Sequence, residues 1–108
     1  MSESIQPVTV KELLASSALV GRRVRVVGRC LGYSAAVAPG GPPRTRSDWQ
    51  LEDNGVAIYV TGQLPSGCSA TEGSKERPTI LAIVAEDTLP ARGDRPPTPR
   101  RYLVRVRQ

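Results

Sequence analysis

The side chains best suited to chemistry in this 108-residue chain are guanidinium groups. Two of them, Arg44 and Arg46, sit in the Pro/Gly-rich stretch VAPGGPPRTRS, residues 37–47. A guanidinium fork matches two phosphate oxygens, so a loop carrying two such groups is a candidate phosphate contact. The same stretch reads equally well as a plain long hairpin loop. Tyr59, between Ile58 and Val60, is expected to point outward, where its ring can stack on a base or cover a sheet edge. Trp49 shares a face with Leu51 and is assigned to the core, while Glu52 on the opposite face would repel a phosphate. Covalent and acid–base catalysis find no constellation. The chain has no His, no Ser or Cys with a neighbouring base, and no phosphate-cradling glycine motif, so it is read as a non-enzyme. Cys30 and Cys68 are too few for a disulfide framework or a zinc site and are expected to be free thiols. No cofactor and no metal are expected.

Charge is segregated along the chain. Residues 20–46 carry six Arg and no acid, and residues 95–108 carry five Arg and no acid. Between them, residues 47–94 hold eight acids against three bases. If the two basic segments are neighbours in space, they merge into a positive region that steers polyanions. The competing reading is that an Arg-rich codon usage decorates solvated strand faces.

The elements that must position these groups are mostly strands. Thr9 and Glu12 have capping-box spacing, which predicts a short helix from Val10 to Ser17 with Leu13 and Leu14 inward. Gly21 ends it. A first strand over 22–36 then alternates Val24 and Val26 against Arg23 and Arg25, with a β-bulge expected at Val27-Gly28. Arg29 and Tyr33 lie further along it. Asp53-Asn54-Gly55 predicts a tight hairpin between Trp49–Glu52 and Val56–Val60. The apolar run Thr79–Ala85 is expected as a strand buried on both faces, ended by Glu86-Asp87-Thr88. A final strand, Arg100–Arg107, places Tyr102, Val104 and Val106 opposite Arg101, Leu103, Arg105 and Arg107. Residues 1–6 are read as a flexible N-terminus, and 37–47, 63–78 and 90–99 as long loops of one domain spanning 1–108. The match of Pro96, Pro99 and Arg101 to an SH3-ligand pattern is read as a rigid connector. No run is long and apolar enough to cross a bilayer and the first residues lack a secretory pattern, so a cytoplasmic protein without membrane contact is expected.

VGRRVRVVGRC followed by WQLEDNGVAIYV resembles the opening of an OB-fold of the type that binds tRNA anticodons and single strands. Gly21, Val24, Val26, Gly28, Cys30, Trp49, Leu51, Asp53, Gly55, Ile58 and Val60 occupy the pattern positions over about residues 19–62. The helix usual between strands three and four is not evident in 63–78. The resemblance implies an all-β, five-stranded Greek-key barrel with a short N-terminal helix. It also implies a nucleic-acid surface comprising Arg25, Arg29, Tyr33, Arg44, Arg46, Tyr59, Arg92 and Arg95. The expected function is a small non-catalytic module that binds single-stranded DNA or RNA, or structured RNA, through an Arg-rich face. The alternative is a protein-interaction or assembly subunit, homo-oligomeric or with another partner, using exposed Leu31 and Leu103.

Overall fold

Thr9 starts the only α-helix among the described residues, which are 5–32, 43, 45, 48–69 and 73–106 of a computed structural model. The Thr9 hydroxyl accepts from the Glu12 amide at 3.1 Å, and the Glu12 carboxylate accepts from the Thr9 amide at 3.2 Å. This reciprocal cap satisfies two amides that a helix start otherwise leaves bare. Helix α1 runs Val10–Ala15, two residues shorter than expected, and a 3-10 turn over Ser17–Leu19 follows. Val10 and Leu13 are buried, and Leu14 packs at the margin of the core.

Seven strands form one mixed sheet: β1 Gln6–Val8, β2 Arg23–Val27, β3 Arg29–Gly32, β4 Trp49–Asp53, β5 Val56–Thr61, β6 Thr79–Leu89 and β7 Thr98–Arg105. Their order is β1-β2-β6-β7-β5-β4-β3. The β1/β2 and β5/β7 ladders are parallel and the others antiparallel. The all-β expectation holds. The five-stranded barrel does not, because the sheet has seven strands and no ladder joins its end strands, β1 and β3, among the described residues.

Two local events account for the extra strands. Gln6–Val8, expected to be partly flexible, pairs in parallel with Val24–Val26. The expected long first strand breaks at Gly28, where the chain exchanges one partner for another: β2 pairs with β6, and β3 with β4. A Cβ on Gly28 would lie 2.8 Å from the Glu52 carbonyl oxygen and 2.8 Å from Leu51 Cγ. Only glycine allows that crossing. The ladder irregularity lies further on, between Cys30 and Gly32, and residues 33–36 are outside the described residues.

The β4–β5 hairpin follows its turn chemistry. Asn54 and Gly55 both have positive φ, 52° and 82°, and Asp53 pairs with Val56. Strand β6 continues past its expected end to Leu89, and β7 begins at Thr98 rather than Arg100. Its burial alternates instead of being complete. Ile80, Ala82 and Val84 enter the core, while Leu81, Ile83 and Ala85 are half-buried on the other face. The core gathers these with Val24, Val26, Trp49, Leu51, Ile58, Val60 and Leu103. Leu103 was expected at an exposed interface; its strand parity turns it inward, opposite Val84. Trp49 is fully buried, and its indole N–H donates to the Gly62 carbonyl at 3.2 Å.

The cysteines overturn a further expectation. Cys30 and Cys68 are joined in a disulfide, with Cα atoms 6.1 Å apart. The free-thiol reading rested on the rarity of disulfides in the cytosol. It had no means of seeing that the chain after β5 returns alongside β3. No helix among the described residues is long and apolar enough to cross a membrane.

Candidate functional site

The sheet face away from the core is built by register. Gln50 pairs with Tyr59 and Ala85 with Tyr102, and Val60 and Leu103 fix the parallel alignment of β5 with β7. Gln50, Tyr59, Tyr102 and Ala85 therefore form a row across four strands. Tyr59 and Tyr102 make a second apolar cluster with Ala57, Ala85 and Val104. Each tyrosine is only 8% exposed. The Gln50 amide, 2% exposed, donates to the Tyr59 hydroxyl at 3.2 Å. Tyr59 does face away from the main core, but it is no open stacking platform, because neighbours on its own face cover it.

One end of this face is held by Arg100 and Asp48. Arg100 Nε and Nη2 donate to the two Asp87 oxygens at 2.8 and 2.5 Å, and Nη1 donates to the Pro43 carbonyl at 3.2 Å. The guanidinium also lies 5.9 Å from the centroid of the Tyr102 ring. Its pKa is raised, chiefly by the hydrogen bonds to Asp87 and against the desolvation of partial burial. Asp48, 3% exposed, accepts from the Thr45 amide at 3.1 Å and from the hydroxyls of Thr45 and Thr61 at 2.6 and 2.9 Å. Pro43 and Thr45 belong to the β3–β4 connection, so that connection touches down beside the start of β7. The Asp48 carboxylate thereby anchors this connection to β5.

Of the eight residues expected at a nucleic-acid surface, five are described, and those five lie on separate parts of the sheet. Arg25 is exposed on β2 with no partner among the described residues. Arg29 is exposed on β3, its Nε 3.4 Å from Glu52, so the neighbouring acid that counted against phosphate binding does compete for it. Arg92 and Arg95 are exposed in the β6–β7 turn, where their backbones bond each other at 3.0 Å in both directions and Gly93 has φ 59°. Tyr33, Arg44 and Arg46 lie outside the described residues. Arg25 pairs with Leu81, and the turn follows Leu89 on the same strand. Eight residues at about 3.3 Å each separate Arg25 from that turn by roughly 26 Å.

The two basic segments do flank a common strand, since β2 and β7 both pair with β6. Across the β6–β7 ladder, acids stand opposite two of the arginines: Glu86 opposes Arg101 and Asp87 opposes Arg100. Arg101 donates to Glu86 at 3.1 and 2.5 Å, and its Nη1 reaches the Leu13 and Leu14 carbonyls at 2.9 and 3.3 Å. It thereby caps the C-terminal end of α1, which has no basic residue in its last turn. Arg105 donates to the Gln63 carbonyl at 2.7 Å. The sequence carried a signal for this, Glu86-Asp87 and Arg100-Arg101 in antiparallel order, which ending the strand at Glu86 concealed. No family model, curated protein or solved structure matches the chain.

Proposed function

We propose that this protein is a non-catalytic, OB-fold-like module that binds single-stranded nucleic acid or structured RNA by electrostatic contact at the loop end of its sheet. What supports the fold part is the path of the chain. Strand β2, Gly28 and β3 act as one bent strand that pairs with β6 on one side of the bend and β4 on the other. Counted that way, the sheet has five principal strands besides β1, with the parallel β5/β7 contact between the third and the fifth.

The observation that carries the binding part is the Arg100–Pro43 hydrogen bond. It ties the β3–β4 connection to the base of the β6–β7 turn, which presents Arg92 and Arg95. Those are the two connections that frame the ligand groove in OB-folds. With Tyr59 and Tyr102 covered, stacking on those two rings contributes little and the arginines carry the electrostatic part of the affinity. Each phosphate contact adds a salt slope of about 0.7 on a single strand.

Fluorescence anisotropy with labelled single-stranded DNA, single-stranded RNA and duplex at two salt concentrations tests this. Single-strand binding that weakens steeply with salt and is lost in Arg92→Glu/Arg95→Glu is expected. No binding to any of the three at low salt overturns it. A second reading, a protein-assembly subunit, is favoured by one observation: Val27 is 45% exposed on the outer face of β2, beside Arg25. That reading expects an association that persists at high salt.

A further inference from the structure

Strand β3 is the last strand of the sheet, so its outer edge has no ladder partner. Gly73 and Ser74 of the connection between β5 and β6 cover that edge at Cys30 and Leu31. The Ser74 amide donates to the Cys30 carbonyl at 2.8 Å. Gly73 lies so close that a Cβ there would fall 2.5 Å from the same carbonyl oxygen. Ser69 and Gly73 exchange hydrogen bonds at 2.9 and 2.8 Å, which closes this part of the connection on itself. Beside it is a cavity of about 350 Å³ lined by Arg29, Cys30, Leu31, Gly73, Ser74 and Lys75. The covalent tie is Cys30–Cys68, between a fully buried sulfur-bearing residue of the strand and a partly exposed one of the connection.

The non-covalent hold is slight by comparison. Ser66, Gly67, Ser69, Lys75, Glu76 and Arg77 are all exposed, and among the described residues of the connection Leu64 and Cys68 pack at the margin of the core and Pro65 is buried. The Arg77–Asp53 ion pair lies near the surface. An exposed pair of this kind adds little to stability.

We infer that Cys30–Cys68 is a reducible latch: it holds the β5–β6 connection over the β3 edge, and its reduction frees that connection and opens the edge and the adjoining cavity while the rest of the sheet stays folded. The inference stands apart from the nucleic-acid reading. A dithiol is the reductant. Its thiolate attacks the more accessible Cys68 sulfur, forming a mixed disulfide and expelling Cys30 as thiolate. The second thiol of the reductant then displaces Cys68. Two electrons pass to the cysteine pair, the dithiol becomes a disulfide, and its two protons leave both cysteines as thiols. Such a bond persists in an oxidising compartment and opens in a reducing one.

Limited trypsinolysis with mass mapping reads this directly. Lys75 reports on the connection, and Arg100 and Arg101 within β7 report on the sheet. Reduction with dithiothreitol is expected to accelerate cleavage after Lys75 at least tenfold and to leave cleavage after Arg100 and Arg101 unchanged. Cys68→Ser without reductant is expected to behave like the reduced protein. Equal Lys75 cleavage in oxidised and reduced protein overturns the latch, as does equal acceleration at Arg100 and Arg101, which would make the bond a general staple. Two titratable thiols in denatured protein prepared under oxidising conditions, before any reductant, also overturn it.

Discussion

The two arginine-rich segments contain no acid of their own, and strands β2 and β7 set their arginines in different surroundings. On β7, Arg100 and Arg101 are each held by a carboxylate directly across the ladder, and Arg105 by a backbone carbonyl. On β2, Arg25 stands exposed with no partner among the described residues. One strand decides both outcomes. The N-terminal half of β6, Thr79–Ile83, pairs with β2 and offers no acid, whereas its C-terminal half carries Glu86 and Asp87 to β7. An excess of arginine in sequence is therefore not the same as positive surface. The cationic surface available to a polyanion is what remains after cross-strand pairing.

The sharpest way to break this comparison is Arg100→Ala. The Arg100 side chain is 12% exposed and that of Asp87 35%, so the pair is partly screened and the loss is put at about 2 kcal/mol. Urea denaturation is the check, and a loss below about 0.5 kcal/mol, the usual range for a surface change, would place Arg100 with Arg25. The sign of the pH dependence follows from the raised guanidinium pKa. A cation whose folded pKa is raised contributes stability at every pH below its unfolded pKa and loses it as pH climbs through the folded one. The difference between wild type and Arg100→Ala is therefore expected to be flat from about pH 7 to pH 10. A decline across that interval would mean that another group carries the effect.

Arg101→Ala comes next, at about 1–2 kcal/mol. Its loss removes both the Glu86 contact and the cap on the Leu13 and Leu14 carbonyls. Hydrogen exchange distinguishes it from Arg100: amides of α1 should lose protection, while those of the β4–β5 hairpin should keep theirs.

Features governed by local chemistry were legible in the sequence. Thr9 with Glu12 specifies its cap, Asn54-Gly55 its turn, and the parity of Trp49, Leu51, Ile58 and Val60 a shared buried face. Gly28 announced a disturbance in the first strand, but whether that meant a bulge or a change of partner depended on Leu51 and Glu52, more than twenty residues away. The candidate surface was harder to read for the same reason. That Tyr59 faces away from the core follows from alternation; that Gln50, Tyr102 and Ala57 cover it depends on which strands become neighbours. The disulfide and the arginine–carboxylate ladder are likewise long-range events. A pairing such as Asp87 with Arg100 becomes visible only once two strands are known to be antiparallel in that register.

The smallest stability effects are expected at Arg25, Arg92 and Arg95, and there the comparison bears on function. Arg25→Ala and the double change Arg92→Ala/Arg95→Ala should each leave unfolding free energy within about 0.5 kcal/mol of wild type, because none of the three has a side-chain partner among the described residues to orphan. Their effect on binding should differ. Arg92 and Arg95 share one turn, whereas Arg25 lies far along β6 from it. A single strand held at the loop end loses two phosphate contacts in the double variant, so its slope of log affinity against log salt should fall by about 1.4. Arg25→Ala should change that slope by less than one contact's worth. The reverse ranking, with Arg25 dominant and the turn silent, would move the contact surface onto the open half of β2, where the exposed Val27 also lies.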